Sequence, residues 1–267
     1  MTAWASGNLS ITGGHLTYHR TGGGGPALVL SHGLTDNGLC WTRLARALAP
    51  DFDVIMLDAR GHGQSSRIPP GDPGEPGEDI AEAIDLLGLR SPIVMGHSVG
   101  ARATAMFAAA HPGRAARVLL EDPPLAPLAD PADPAAAERR RTRFREHVGK
   151  FRTMSPDEIT AMGKAQSPGW HADDFPAWTL SKQQVDPEAM PDYRTPWQET
   201  FAAITAPTLL IHADPALGGL ITPELAAEAM RINPGIRAVQ IPNAGHNTRR
   251  ENFTGYLAAV RGFLGEI

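Results

Sequence analysis

Several residue types and sequence patterns are scarce in this chain of 267 residues. Its single cysteine, Cys40, excludes an internal disulfide and leaves no second thiol for a cysteine-bound metal. No apolar run approaches the roughly 20 residues that a membrane-spanning helix needs. The first residues also lack the basic start and the apolar core of a signal peptide. We therefore expect a cytoplasmic protein that has no membrane partner.

Positive charge is scarce too, because 24 lysines and arginines stand against 29 aspartates and glutamates, which gives a formal net charge of -5. The sequence has no long basic block, so the footprint of a nucleic-acid-binding protein is missing. Apolar residues make up 42% of the chain, a share typical of globular proteins. This composition favours a small neutral molecule as the partner.

The stretch around Ser98 organises the chain. An apolar run at residues 93–95 ends in Gly96-His97-Ser98-Val99-Gly100, and an alanine-rich helical pattern follows at once. This order predicts a strand, a tight turn and a helix, with the two glycines allowing strand and helix to approach closely. Ser98 would then point outward at the helix N-terminus, where free N–H groups favour negative charge on a substrate oxygen. Ser98 is therefore the candidate nucleophile.

A second loop of interest follows the predicted strand at residues 27–30. It carries His32-Gly33-Leu34, whose glycine lets the backbone approach a group above the sheet. The amide of Leu34 can then donate a hydrogen bond to an oxyanion. Further apolar runs predict strands, with helical patterns between most of them, at residues 53–57, 117–121, 207–212 and 237–241. The alternation predicts an α/β protein with a doubly wound, mostly parallel sheet.

The motifs at the strand ends resemble, in this order, those of the α/β-hydrolase superfamily. They are His32-Gly33, Asp58-Ala59-Arg60-Gly61-His62-Gly63-Gln64-Ser65, Gly96-His97-Ser98-Val99-Gly100 and Asn243-Ala244-Gly245-His246. The resemblance implies a core of residues 1–122 and 204–267. Residues 123–203 interrupt the strand and helix alternation, and the resemblance implies that they form an inserted helical cap.

The same resemblance implies a catalytic triad. A serine hydroxyl needs an imidazole to take its proton, and the imidazole needs a carboxylate to hold its tautomer. His246 lies between the last predicted strand and the last helix, which suits the base. For the carboxylate we favour Asp122 over Asp214 and Glu121, because the loop at residues 213–219 resembles the acid-free loops of haloalkane dehalogenases and zearalenone lactonases. Many of those enzymes carry the acid after the earlier strand.

The resemblance also suggests the rest of the site and the reaction. The amides of Leu34 and Val99 are expected to form the oxyanion hole, and His32, Trp170 and Trp178 to line the substrate pocket. We expect hydrolysis of a small apolar carboxylic ester or lactone through an acyl-enzyme, with no metal and no cofactor. The alternatives are thioester or carbon–carbon bond hydrolysis, and a ligand receptor without catalysis. A serine at the elbow argues against dehalogenase and epoxide hydrolase chemistry, which need a carboxylate there.

Overall fold

The computed structural model describes residues 4–69, 74–125, 133 and 135–265, and its centre is an eight-stranded sheet. The strands are β1 (Ala5–Ile11), β2 (Gly14–Arg20), β3 (Ala27–Ser31), β4 (Asp53–Leu57), β5 (Ile93–His97), β6 (Arg117–Glu121), β7 (Thr208–His212) and β8 (Ile236–Gln240). Their order in the sheet is β1-β2-β4-β3-β5-β6-β7-β8. The pairs β1–β2 and β2–β4 are antiparallel, and all other pairs are parallel. The predicted mostly parallel sheet is therefore confirmed.

Helices cover both faces of this sheet. They are α1 (Thr42–Leu48), α2 (Pro76–Leu86), α3 (Val99–Ala110), α4 (Ala135–Phe151), α5 (Pro156–Gln166), α6 (Phe175–Gln184), α7 (Trp197–Ala202), α8 (Pro223–Ile232), α9 (Thr248–Glu251) and α10 (Phe253–Leu264). None of these described helices is long and apolar enough to cross a membrane. Helices α4 to α7 lie between β6 and β7, within the segment predicted as a cap. Residues 126–132 and 134 of that segment lie outside the described residues.

The core has two layers because successive strand residues point to opposite faces. Val94 of β5 belongs to the layer that contains Phe107 of α3, whereas Met95 belongs to the layer that contains Leu44 of α1 and Val260 of α10. Every residue of β4, β5 and β7 is buried. Strands that are covered on both faces have continuous apolar sequences, which is why their positions could be predicted from the sequence.

The sequence pattern after His246 predicts one terminal helix at residues 251–264, and the structure differs from this expectation. The structure has two helices, α9 and α10, separated at Asn252. The Asn252 side chain accepts a hydrogen bond from Gly255 N and donates one to Pro242 O. This asparagine caps α10, and the break lets the chain turn just after the loop that carries His246.

Candidate active site

Ser98 sits at the apex of the turn between β5 and α3. Its backbone angles are φ 54° and ψ -123°, a strained conformation for a residue with a side chain. The flanking glycines are required by space: a Cβ on Gly96 would lie 2.3 Å from Gly100 O, and one on Gly100 would lie 2.4 Å from His32 O. The predicted strand, turn and helix around Ser98 are therefore present, with α3 beginning at Val99.

The structure brings Ser98, His246 and Asp122 into one hydrogen-bonded chain. His246 Nε2 lies 3.0 Å from Ser98 Oγ, and His246 Nδ1 lies 2.7 Å from Asp122 Oδ2. With its proton on Nδ1, the ring donates to Asp122 and leaves Nε2 to accept the serine proton. These distances meet the geometric requirement for a nucleophile, its base and the group that orients the base.

Asp122 is completely buried and held by two backbone amides. Leu220 N donates to its Oδ2 at 2.9 Å and Ile221 N to its Oδ1 at 3.3 Å. By contrast, the carboxylate of Asp214 accepts a hydrogen bond from Ala216 N and caps a short helical turn. Of the candidates weighed on the sequence, the structure thus places Asp122 at His246 and keeps Asp214 in a local turn.

The two amides predicted to bind an oxyanion belong to segments that lie next to Ser98. Leu34 follows Gly33, and a Cβ added at Gly33 would be 3.5 Å from Ser98 Cβ, so this loop lies against the nucleophile. Val99 is the first residue of α3. Within the described part of the chain, neither the Leu34 amide nor the Val99 amide donates a hydrogen bond to another protein group. Both are therefore available to a ligand.

His32 and His62 hold the backbone of this region. His32 Nδ1 donates to Gly33 O at 2.8 Å, and its Nε2 accepts from Ala59 N at 3.0 Å. His62 places Nε2 2.5 Å from Leu34 O and Nδ1 3.0 Å from Arg60 O. Burial lowers the pKa of both rings, that of His62 to about 4, although the carbonyl contacts oppose the shift. Both rings are therefore neutral, and a neutral His62, with its single N–H, donates to only one of its two carbonyls.

A cavity of about 90 Å³ lies beside the elbow. Its lining includes Val99, His32 and Tyr193 but neither Trp170 nor Trp178. The two tryptophans pack edge to face, with ring centroids 6.0 Å apart, in a cluster that contains Phe151, Ile159 and Phe175. His32 lies at the cavity wall, but neither Ser98 nor His246 lines this cavity. Trp178 is buried in the helical insertion, whereas Trp170 is only partly buried, and its ring centroid lies 4.6 Å from Cζ of Arg250.

A buried network of charges beside the triad was missed by the sequence analysis. Asp36 is contacted by Lys182, Arg249 and Arg250, and Arg249 also contacts Glu121. Burial would raise the pKa of the Asp36 carboxyl, but the three cations hold it well below its usual value. The partners lie far apart in the chain, Asp36 and Arg249 by 213 positions, so no local pattern could reveal them.

Among the described residues, no group of three or more His, Cys, Asp or Glu side chains is placed to hold a metal ion. What the site does contain is a serine, a histidine and a carboxylate at the carboxyl ends of parallel strands. This is where α/β proteins place their ligands.

Comparison with known proteins agrees with this fold. A model of the α/β hydrolase family matches residues 28–253, so the chain belongs to the α/β hydrolase family. It is 32% identical over 264 residues to N-formylmaleamate deformylase from Pseudomonas putida, covering 97% of this chain and 96% of that one. It is 25% identical to 2-(acetamidomethylene)succinate hydrolase from Mesorhizobium japonicum, covering 92% and 90%. These relatives support hydrolase activity on a small molecule.

A solved structure gives the same result for the fold. The crystal structure of E-2-(acetamidomethylene)succinate hydrolase superimposes with a TM-score of 0.79 at 21% identity, covering 98% of this chain and 99% of that one. The predicted superfamily is therefore confirmed.

Proposed function

We propose that the protein is a serine hydrolase that cleaves a carboxylic ester or lactone through an acyl-enzyme. The observation that carries the proposal is the position of His246, within hydrogen-bonding distance of both Ser98 and Asp122. Ser98 Oγ attacks the substrate carbonyl while His246 Nε2 takes the serine proton. Asp122 holds the imidazole in the required tautomer and stabilises its cation.

The remaining steps use the same groups. The amides of Leu34 and Val99 stabilise the oxyanion of the tetrahedral intermediate. Collapse of the intermediate breaks the bond to the leaving group, which receives its proton from His246. Water, deprotonated by His246, then attacks the acyl-enzyme and releases the acid and free Ser98. We further propose that residues 123–203 act as a cap over this site.

A second candidate function is hydrolysis of a small N-acyl bond by the same steps. The observation in its favour is the 32% identity, along nearly the whole chain, to a relative named for the deformylation of N-formylmaleamate. Matched ester and amide substrates with the same acyl group separate the two candidates, since they share the acyl-enzyme and differ only in the leaving group. A thioesterase, a carbon–carbon bond hydrolase and a receptor without turnover have no comparable observation in their favour.

The polarity of the substrate is a further property to be tested. The expectation of an apolar substrate rests on large side chains of the helical insertion, among them Trp170 and Trp178, facing the pocket. Trp178 is buried in the insertion and Trp170 lies 4.6 Å from Cζ of Arg250, so this expectation stays a prediction. The apolar ester is therefore one member of the substrate series to be compared, alongside esters and amides that carry a charge near the acyl carbon.

The test of the proposed function is covalent labelling of Ser98. A fluorophosphonate should label the wild-type protein at Ser98, and Ser98→Ala should remove the label and lower turnover by several orders of magnitude, roughly the loss seen when a triad member is removed. Ser167→Ala, a serine just after α5, is the matched control and should keep both label and activity. Labelling that persists in Ser98→Ala would refute the proposal.

A further inference from the structure

Residues of α6, within the helical insertion, contact the loop that follows Gly33. Lys182 of α6 is 4% exposed, and its Nζ lies 2.8 Å from Thr35 O, 2.7 Å from Thr35 Oγ1 and 3.5 Å from Asp36 Oδ1. Ser181 Oγ lies 2.9 Å from the same Thr35 carbonyl and 2.8 Å from Trp178 O, and its single proton is available to either oxygen. The peptide between Thr35 and Asp36 is thus contacted by two neighbouring residues of one helix, with Lys182 as its donor.

The segment that follows His246 also contacts this loop. Nη2 of Arg249 and Nη2 of Arg250 each lie 2.9 Å from Asp36 Oδ2. Arg249 Nη1 also lies 3.3 Å from Glu121 Oε2, and Glu121 directly precedes Asp122. One network of ions therefore joins the loop of Leu34, the loop of His246 and the strand end that carries Asp122.

Stability alone is a weak reason for such a network. Removing charges from water is costly, and a buried ion pair often stabilises a fold no better than well-packed apolar side chains. Here three buried cations, Lys182, Arg249 and Arg250, accompany two buried carboxylates, Asp36 and Glu121. What the network does provide is a fixed relative position for the segments that carry the reacting groups.

We propose that Lys182 is a positioning residue for the oxyanion hole. Its contacts with Thr35 and Asp36 hold the loop so that the Leu34 amide is directed at the position of the oxyanion next to Ser98. Asp36 N also donates to Gly33 O at 3.0 Å, so the turn that displays the Leu34 amide is closed at the residue that Lys182 holds. This inference rests on the proposed function, because it assigns the Leu34 amide to an oxyanion.

The expected size of the effect follows from the role of the amide. Losing one oxyanion donor costs about 100-fold to 1,000-fold in kcat, and a misplacement of about 1 Å can cost about 100-fold. Lys182→Met keeps much of the side-chain length but removes the three donors of the ammonium group. It should loosen the Leu34 amide without deleting it. We therefore expect kcat to fall by about 10-fold to 100-fold.

The experiment compares Lys182→Met with the wild-type protein per titrated active site. Fluorophosphonate labelling of Ser98 counts the active sites. We then measure kcat and KM on one ester or amide. Inhibition by a boronic acid, which mimics the tetrahedral intermediate, is measured on the same substrate. The expected result is a lower kcat, a KM within about twofold, and boronic acid affinity reduced in proportion to kcat. Lys150→Met, an exposed lysine of α4, is the matched control and should leave all three values unchanged.

Thr35→Val is the second variant, and it keeps the test decisive if Lys182→Met does not fold. It removes the Oγ1 acceptor of the lysine with little change of shape, so kcat and boronic acid affinity should fall together by a smaller factor. A Lys182→Met or Thr35→Val protein with fewer labelled sites but normal kcat per site would overturn the proposal, as would a change confined to KM. Absence of Ser98 labelling in the wild-type protein would instead refute the proposed function.

Discussion

At the scale of residues, two neighbouring carboxylates at the end of β6 have different surroundings. Glu121 accepts hydrogen bonds from Thr248 Oγ1 at 2.6 Å and Tyr256 Oη at 2.9 Å, on the side away from Ser98. Asp122, with φ 43°, turns its carboxylate to His246. Of the two carboxylates, Asp122 is therefore the one within hydrogen-bonding distance of the imidazole.

The choice between the two candidate aspartates gives a direct prediction. Asp122→Asn should lower kcat by about a thousandfold or more, because an asparagine favours the wrong imidazole tautomer. Asp214→Asn is the matched control and should retain most activity, since that side chain only caps a short turn. Kinetics of both variants per folded molecule provide the measurement. The reverse ranking would assign the acid to Asp214.

How far the site was predictable depends on how local its signals are. Ser98 sits in a five-residue motif, and His246 in a short loop between predicted elements, so both follow from neighbouring residues. Asp122 required a comparison of two loops. The contacts of Asp36 with Lys182 and Arg249 carry no local signal at all, because each partner is an ordinary charged residue until the fold brings them together.

At the scale of elements, the helical insertion has a tightly packed interior. Gly163 of α5 faces Trp178 of α6 so closely that a Cβ there would lie 2.4 Å from the indole Cζ3. Gly149 of α4 has open space at the same position, with no atom within 4 Å. An added methyl group would therefore clash with Trp178 at Gly163 and find open space at Gly149.

This difference predicts opposite effects of one substitution. Gly163→Ala should destabilise the protein by about 1–3 kcal/mol, because a close-packed core absorbs an added methyl group only by shifting a ring or a helix. Gly149→Ala should stabilise it by about 0.5–1 kcal/mol, since alanine loses less backbone entropy in a helix. Urea unfolding of both variants provides the measurement. Equal effects would show that Trp178 moves aside freely.

The elements also differ in how well the sequence predicts them. Strands such as β4 and β6 match their predicted bounds, because burial on both faces leaves continuous apolar runs between loops. The direction of Trp170 and Trp178 was not predictable in the same way. An aromatic residue reads the same in a sequence whether it lines a pocket or packs against Phe175.

At the scale of the whole molecule, parallel strands bring separate loops to one sheet edge, and buried histidines hold them there. His97 Nε2 lies 2.9 Å from His246 O, which connects the elbow to the loop of the catalytic base. His32 and His62 tie the loop of Leu34 to the segment after β4. Burial lowers the pKa of all three rings, so each is neutral in the folded protein.

These neutral rings make the stability of the protein dependent on pH. An unfolded histidine has a pKa of about 6.5, so below that pH the unfolded chain binds protons that the folded chain does not, and folding becomes less favourable. For His62, whose folded pKa is about 4, the loss develops as the pH falls from about 6.5 to about 4. A single such group contributes a slope of up to about 1.4 kcal/mol per pH unit within this window.

We therefore expect the free energy of unfolding to fall steadily as the pH is lowered from about 6.5, the ordinary histidine pKa, to about 4, the lowered pKa of His62. Denaturant titrations at several pH values provide the measurement. His62→Gln removes the titrating ring, so its slope should be smaller by up to about 1.4 kcal/mol per pH unit, whatever its stability at neutral pH. His111→Gln is the control, because His111 is a surface residue paired with Glu78. An unchanged slope in His62→Gln would show that His62 is protonated in the folded protein, donating to both Leu34 O and Arg60 O.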